Sequence, residues 1–265
     1  MSDKLRVGVI GATGMVGQRF VTLLAEHPWF ELTAAAASSR SAGLTYAAAV
    51  ANRWMMSTPL PRQAAELTVL NAANVAEVGS QVDFVFCAVD MEKAATRELE
   101  DSYARAGIPV VSNNSAHRGT PDVPMLMPEI NPEHLDVIPV QQRRLGTRRG
   151  FVVVKPNCSI QSYVPALHAL REFGPTEVLA CTYQAISGSG KTFATWPEMV
   201  DNVIPYIAGE EAKSEQEPLK IWGHVAGDAI RPAEEPIITT QCIRVPVSDG
   251  HLAAVFVNFA KKPRR

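Results

Sequence analysis

Cys158 stands in the segment Lys155-Pro156-Asn157-Cys158-Ser159, directly after the apolar run Phe151-Val152-Val153-Val154. That run reads as a strand, and Ile160 to Leu170 reads as a helix. Cys158 would then sit where a strand turns into a helix. The positive end of a helix dipole favours a thiolate there, the form of cysteine that attacks a carbonyl carbon. Cys87, Cys181 and Cys242 instead lie inside the apolar runs FVFCAV, VLACTY and TQCIRV. In such runs a thiol is usually an inert small hydrophobe. Position alone leaves Cys158 open as a nucleophile or as a structural thiol. With no C-x-x-C pair, the cysteines outline neither a disulfide framework nor a metal site in a reducing compartment.

A second chemical feature opens the chain. Leu5 to Ile10 is a short apolar strand that runs into Gly11-Ala12-Thr13-Gly14-Met15-Val16-Gly17. Glycines spaced G-x-x-G-x-x-G between strand and helix let the backbone approach a pyrophosphate, which the free N–H groups of the helix start can hold. Glycine turns also occur without a ligand; position directly after the first strand favours dinucleotide binding. A site for the non-phosphorylated dinucleotide usually places Asp or Glu at the end of the second strand. Here that position reads Ala37-Ser38-Ser39-Arg40-Ser41, with no acid between Glu31 and Glu66. Hydroxyls and a guanidinium suit a 2′-phosphate, so the expected cofactor is NADP.

These groups need a scaffold, and the first half of the chain supplies one. Met15 to Glu26 has helical spacing, Glu31 to Ala37 fits a strand, and Leu67 to Leu70 a weaker one. Val82 to Val89 is a buried strand, Glu92 to Ala106 a helix stopped by Gly107, and Ile108 to Ser112 a further strand. Such alternation implies right-handed βαβ units and a doubly wound sheet, an α/β fold. After Pro121 the sequence is proline-rich and polar up to Arg149.

Composition narrows the classes. The 265 residues carry 25 Lys plus Arg against 27 Asp plus Glu, a net charge of −2, which argues against a nucleic-acid binder. Hydrophobic residues make up 46%, which suits a folded globular chain, and no apolar run approaches the ~18 residues of a membrane span. The opening Met1-Ser2-Asp3-Lys4 has no signal-peptide layout, so the cytoplasm is the expected compartment.

The blocks VGVIGATGMVGQRF, SSRSAG, VVSNNSAHR, VPMLMPEINPEHL, KPNCSIQ, YQAISGSGK and IRVPVSDGH, in this order, resemble aspartate-β-semialdehyde dehydrogenase of the archaeal and fungal-like branch. The resemblance covers nearly the whole chain. It implies an N-terminal NADP-binding Rossmann domain, residues 1–154, and a glyceraldehyde-phosphate-dehydrogenase-like C-terminal α/β domain, residues 155–265, that carries catalysis and dimer contacts. It also implies the reductive dephosphorylation of aspartyl-4-phosphate by NADPH, a step toward lysine, threonine, methionine and isoleucine. Cys158 matches the nucleophile that forms a thioester, His251 the acid–base residue, and Gln184 a substrate-orienting glutamine. Arg244 matches the fork that holds the α-carboxylate; an arginine in the apolar run Cys242 to Val247 wants an anionic partner in any case. Glu210 matches the acid that meets the substrate ammonium. Arg118 and Lys213 match phosphate contacts, and Ser187, Gly188 and Lys191 belong to a glycine-rich loop near the nicotinamide. Without the resemblance, Glu210 to Lys213 reads as a solvated helix face.

Malonyl-CoA reductase and N-acetyl-glutamyl-phosphate reductase share the expected fold and cysteine. Gln184, Glu210 and Arg244 together favour an amino-acid substrate over either. The resemblance implies a homodimer or homotetramer, with Thr192 to Ile207 as a helical interface, an active-site cover or core. The family pattern continues past the point matching Lys262. A truncated chain, with an incomplete second domain and little activity, is therefore a further expectation.

Overall fold

In a computed structural model of the chain, residues 4–262 are described. They fall into two compact units: one runs to Pro124 and resumes over Val137–Lys155; the other comprises Met125–Asp136 and the chain from Pro156 onward.

The first unit is built in chain order from β1 (Leu5–Ile10), α1 (Met15–Leu24), β2 (Phe30–Ala37), α2 (Tyr46–Val50), α3 (Arg62–Ala65), β3 (Val69–Asn71), α4 (Val75–Gly79), β4 (Phe84–Cys87), α5 (Lys93–Arg105), β5 (Val110–Ser112), α6 (Ile138–Leu145) and β6 (Val152–Val154). The six strands form one parallel sheet in the order β3-β2-β1-β4-β5-β6. This is the doubly wound order of a dinucleotide-binding fold, reversing beside β1. Val7 and Val9 of β1 are fully buried, and burial of such a side chain contributes about 1.5–3 kcal/mol. The Glu92 carboxylate caps α5 by accepting from the N–H groups of Ala94 and Ala95, and Gly107, at φ +83°, follows its end.

The short helices α2, α3 and α4 and the longer α6 escaped the sequence reading. The proline-rich stretch after Pro121 contains α6, which tolerates Pro139 in its first turn and ends at Gly146 in the left-handed region. A second expectation is corrected. Ile160 to Leu170 is not one helix but a single 3₁₀ turn, Ile160–Ser162, followed by the short α7 (Val164–His168). The Ser162 hydroxyl donates to the Ser159 carbonyl oxygen at 2.6 Å, and Pro165, without an N–H, belongs only in a first turn.

The second unit adds β7 (Pro175–Gln184), α8 (Glu210–Ile221), the antiparallel pair β8 (His224–Ala226) and β9 (Ala229–Arg231), β10 (Ile237–Arg244) and β11 (His251–Phe259). Its main sheet has the order β10-β7-β11, with β10 parallel and β11 antiparallel to β7. Alternation along β7 buries Val178, Ala180, Thr182 and Gln184 on one face and leaves Glu177, Leu179 and Tyr183 exposed on the other. Between Thr192 and Ile207 no long helix forms, only a 3₁₀ turn at Pro197–Met199. Met199 is buried there, and Val200, Val203 and Tyr206 are exposed.

Candidate active site

The sheet register of the second unit explains why distant residues meet. Arg244 ends β10, Gln184 ends β7, and His251 begins β11. Arg244 pairs with Gln184 across one ladder, and His251 pairs with Gln184 across the other. The three therefore form one row at one end of the sheet.

His251 Nε2 lies 3.2 Å from Cys158 Sγ. Its Nδ1 accepts the main-chain N–H of Ala185 at 3.0 Å. A neutral ring with Nδ1 used as an acceptor carries its proton on Nε2, so the ring aims a donor at the sulfur. The same residue serves Arg244, whose Nη1 donates to the Ala185 carbonyl oxygen at 2.7 Å. Gly188 lies against both side chains; a Cβ there would stand 2.9 Å from Arg244 Nη1 and 3.1 Å from His251 Cε1.

Cys158 is exposed, Cys87 and Cys242 are buried, and Cys181 is half-buried. The helix-dipole argument for Cys158 does not hold, because one 3₁₀ turn follows it rather than a long helix.

Gln184, 1% exposed, accepts from Thr182 Oγ1 at 3.0 Å and donates to Glu210 Oε2 at 3.3 Å. Glu210 Oε2 also accepts from Asn157 Nδ2 at 3.0 Å, and Oε1 pairs with Lys213 Nζ at 2.7 Å. Burial pushes the Glu210 carboxyl up, but Lys213, Asn157 and Gln184 together hold it below the usual glutamate range. Burial lowers the Arg244 guanidinium from its ordinary value, against the opposing pull of Glu210 and Cys158. The solvated-face reading of residues 210 to 213 gives way to an inward-facing polar row. Sequence reasoning missed Asn157, Ala185, Ser214 and Glu217 as parts of this cluster; the polar spacing along α8 was the signal for Ser214 and Glu217, and Asn157 and Ala185 had none.

The loop after Gln184 turns at Ile186–Ser189, where the Ser187 N–H donates to the Ser248 carbonyl oxygen at 3.2 Å. Lys191 Nζ stands 4.2 Å above the Trp196 ring, a cation–π contact.

Arg118 belongs to the first unit. Its guanidinium donates to the carbonyl oxygens of Lys155, at 3.0 Å, and Asn113, at 3.2 Å. That unit also holds the nucleotide motif. Gly11 has φ +84°, and a Cβ on Gly17 would fall 2.1 Å from the Gly11 oxygen, so packing demands both glycines. Gly14 differs: a Cβ there would meet nothing nearer than 3.6 Å. It precedes α1, which no side chain caps. Space above Gly14 and uncapped N–H groups over Met15, Val16 and Gly17 fit a pyrophosphate. Thr13 turns inward through its carbonyl oxygen, which accepts from Gln18 Nε2 at 3.1 Å. Ser38 and Arg40 are exposed at the end of β2. Ser41 is buried, and its hydroxyl accepts from Arg53 Nη2 at 3.0 Å, so Arg53 is a second cation beside this loop that the sequence reading passed over.

Residues 6–138 match the family profile described as semialdehyde dehydrogenase, NAD binding domain, and residues 167–265 match semialdehyde dehydrogenase, dimerisation domain. The aspartate-semialdehyde dehydrogenase of Archaeoglobus fulgidus is 43% identical over 258 residues, 97% of this chain and 72% of that protein. That of Aspergillus fumigatus is 42% identical over 264 residues, 98% of this chain and 71% of that protein. A crystal structure of the Candida albicans enzyme with NADP superposes with a TM-score of 0.86 at 37% identity, over 99% of this chain and 74% of that one. Both domain profiles are matched, and the chain spans about 72% of the length of the curated relatives it matches. None of these names points to malonyl-CoA or N-acetyl-glutamyl phosphate. The chain belongs to the aspartate-semialdehyde dehydrogenase family of NADP-dependent oxidoreductases.

Proposed function

We propose that the chain reduces L-aspartyl-4-phosphate to L-aspartate 4-semialdehyde, releasing phosphate, and that Cys158 is the nucleophile. The observation that carries this is the 3.2 Å contact between Cys158 Sγ and His251 Nε2 in one row with Gln184 and Arg244. The Cys158 thiolate attacks the acyl carbon; the carbon–sulfur bond forms as the carbon–oxygen bond to phosphate breaks. Covalent catalysis divides one hard substitution into two easier ones. NADPH, when bound over Gly11 to Gly17 with its 2′-phosphate near Ser38, Arg40 and Ser41, supplies the hydride that reduces the thioester. The oxyanion left on the acyl carbon collapses to the aldehyde and returns the thiolate. No net proton is needed in that step, so the Nε2–H of His251 serves as a donor to the sulfur and then to the oxyanion.

Arg244 holds the substrate carboxylate through its fork, and Glu210, poised as a carboxylate, takes the ammonium. Gln184 orients the acyl group between them. Lys213 and Arg118 supply cations for the phosphate, and Ser187, Gly188 and Lys191 the loop toward the nicotinamide. Among the described residues no helix is long and apolar enough to cross a membrane; the cytoplasm is the compartment we propose for an enzyme of this family. Its partner is a second copy of itself: Leu179, Tyr183, Ile237, Leu252 and Phe256 make an exposed apolar face on β10-β7-β11, a patch of the kind that marks association.

The test is a reverse assay with aspartate semialdehyde, phosphate and NADP, followed through NADPH formation. Phosphate-dependent NADPH formation is expected. Turnover with malonyl-CoA and none with aspartate semialdehyde would overturn the reading.

A further inference from the structure

No long helix follows the turn that carries Cys158; locally, Gln161 Nε2 donates to the carbonyl oxygens of Pro156 at 3.1 Å and Asn157 at 3.2 Å. One face of α8 holds it from the other side of the chain. Glu210, Ser214 and Glu217 are four and three residues apart, the spacing that stacks side chains along one helix face. Glu217 Oε2 accepts the main-chain N–H of Asn157 at 2.6 Å. Ser214 Oγ and Ser159 Oγ share a hydrogen bond of 2.9 Å. Asn157 Oδ1 accepts both the N–H and the hydroxyl of Ser159 at 2.8 Å, and its Nδ2 donates to Glu210 at 3.0 Å. The residues on either side of Cys158 are thus pinned to α8, and the cysteine itself is left exposed.

Glu217 is 7% exposed and Ser214 fully buried. Burying a carboxylate is costly unless hydrogen bonds compensate it. Here the carboxylate takes a main-chain amide one residue before the reactive sulfur, and a hydrogen bond to a charged acceptor is stronger than a neutral one. We propose that Glu217, aided by Ser214, is the positioning residue for the nucleophile. Its carboxylate fixes the Pro156–Asn157 peptide and so aims Cys158 Sγ at His251 and at the acyl carbon. Glu217 acts through the Asn157 main chain and touches no reacting atom. The inference rests on the reading of Cys158 as the nucleophile.

The experiment compares Glu217→Ala, Glu217→Gln and Ser214→Ala in the full chain. It measures kcat, KM for aspartate semialdehyde, melting temperature, and the rate at which iodoacetamide alkylates Cys158, located by peptide mass mapping. Misplacing reacting groups by ~1 Å costs on the order of a hundredfold. Glu217→Ala is therefore expected to lower kcat and the Cys158 alkylation rate together by about 10- to 100-fold, with KM within about twofold. Glu217→Gln keeps an oxygen that accepts the Asn157 N–H and should restore both rates to within about fivefold. Ser214→Ala should lower both by about three- to tenfold. A folded Glu217→Ala protein with unmodified kcat and alkylation would overturn the proposal. So would equal losses in the Ala and Gln variants that follow melting temperature alone. If Glu217→Ala does not fold, the other two decide: unmodified rates in Ser214→Ala, or a Gln variant as slow as Cys158→Ala, count against it. Glu217-dependent alkylation in a protein without aspartate semialdehyde turnover would support the positioning role and sink the substrate reading instead.

Discussion

Gly188→Ala tests the arrangement of the Arg244–His251 pair with a single methyl group. The new Cβ would stand 2.9 Å from Arg244 Nη1, 3.1 Å from His251 Cε1 and 3.2 Å from His251 Nε2. Ordinary contact begins near 3.4 Å, so the guanidinium must move by 0.5 Å (3.4 − 2.9) and the ring by 0.3 Å (3.4 − 3.1). Neither has slack, because the main chain of Ala185 holds Arg244 through its oxygen at 2.7 Å and His251 through its N–H at 3.0 Å. At roughly a hundredfold per ångström, a half-ångström displacement is worth about tenfold, or ~1.4 kcal/mol of barrier. Gly188 is exposed and its φ lies outside the left-handed region, so melting temperature should stay put. The assay is steady-state kinetics in both substrates. KM for aspartate semialdehyde should rise and kcat fall, their product near tenfold, with KM for NADP little altered. If instead the whole effect appears in NADP binding, Gly188 serves the cofactor alone and the packing argument fails; unmodified kinetics in both substrates would refute it outright.

Four further outcomes follow from the site. Cys158→Ala should abolish turnover and leave NADPH binding, measured by fluorescence titration, intact; substantial residual activity removes Cys158 from the chemistry. Arg40→Asp should narrow or reverse the preference for NADP over NAD, and equal use of both by the native protein would refute the reading of Ser38 to Ser41. Arg244→Lys should cost on the order of a hundredfold in kcat/KM, since a lysine keeps the charge and loses the two-pronged geometry. Lys213→Met removes the foremost influence that lowers Glu210, leaving burial to raise it. The lowered Glu210 stabilises the native fold fully above the ordinary glutamate range, and that stability is lost as pH falls through the lowered value. The variant should lose melting temperature at a higher pH than the native protein as acid is added; superimposable pH profiles would contradict this.

How much of this the sequence disclosed depended on how local each signal was. The strands of the first sheet are buried on both faces, so VGVI, FVFC and VVV stand out as continuous apolar runs. The glycine turn and the missing acid after β2 are equally local. Helix α6 was hidden because Pro132 and Pro139 read as loop, although a proline in the first turn costs nothing there. The split of Ile160 to Leu170 was legible in Pro165 and was overlooked. The row Arg244–Gln184–His251 is a register fact: residues separated by some sixty positions align only once β7 has a parallel neighbour on one side and an antiparallel one on the other. Family resemblance supplied those residues; nothing in their spacing could. Glu217 was the least visible, since buried acids look like surface acids in a sequence.

The charges around Cys158 carry their own argument. Lys213 already spends its ammonium on Glu210. Arg244 is 6% exposed and, among the described residues, has no carboxylate within ion-pair distance; its Nη1 is bonded to a carbonyl oxygen. Burial shifts it down from its ordinary value, against the pull of Glu210 and Cys158. A buried cation without a counter-ion is costly to the fold, and such a group persists where something outside the fold completes it. An anion with two oxygens set to meet the fork would remove that cost on binding, and a neutral or singly pronged ligand would not. The position also fixes geometry, because Arg244 and His251 are both held by one residue, Ala185, through its carbonyl oxygen and its N–H. A carboxylate seated on the first thereby sets the distance of its own far end from the second, and from the sulfur beside it. On the proposed reading of Arg244 as the carboxylate fork, substrate length is set by the separation of these two side chains at one end of the sheet, with Gly188 lying against both.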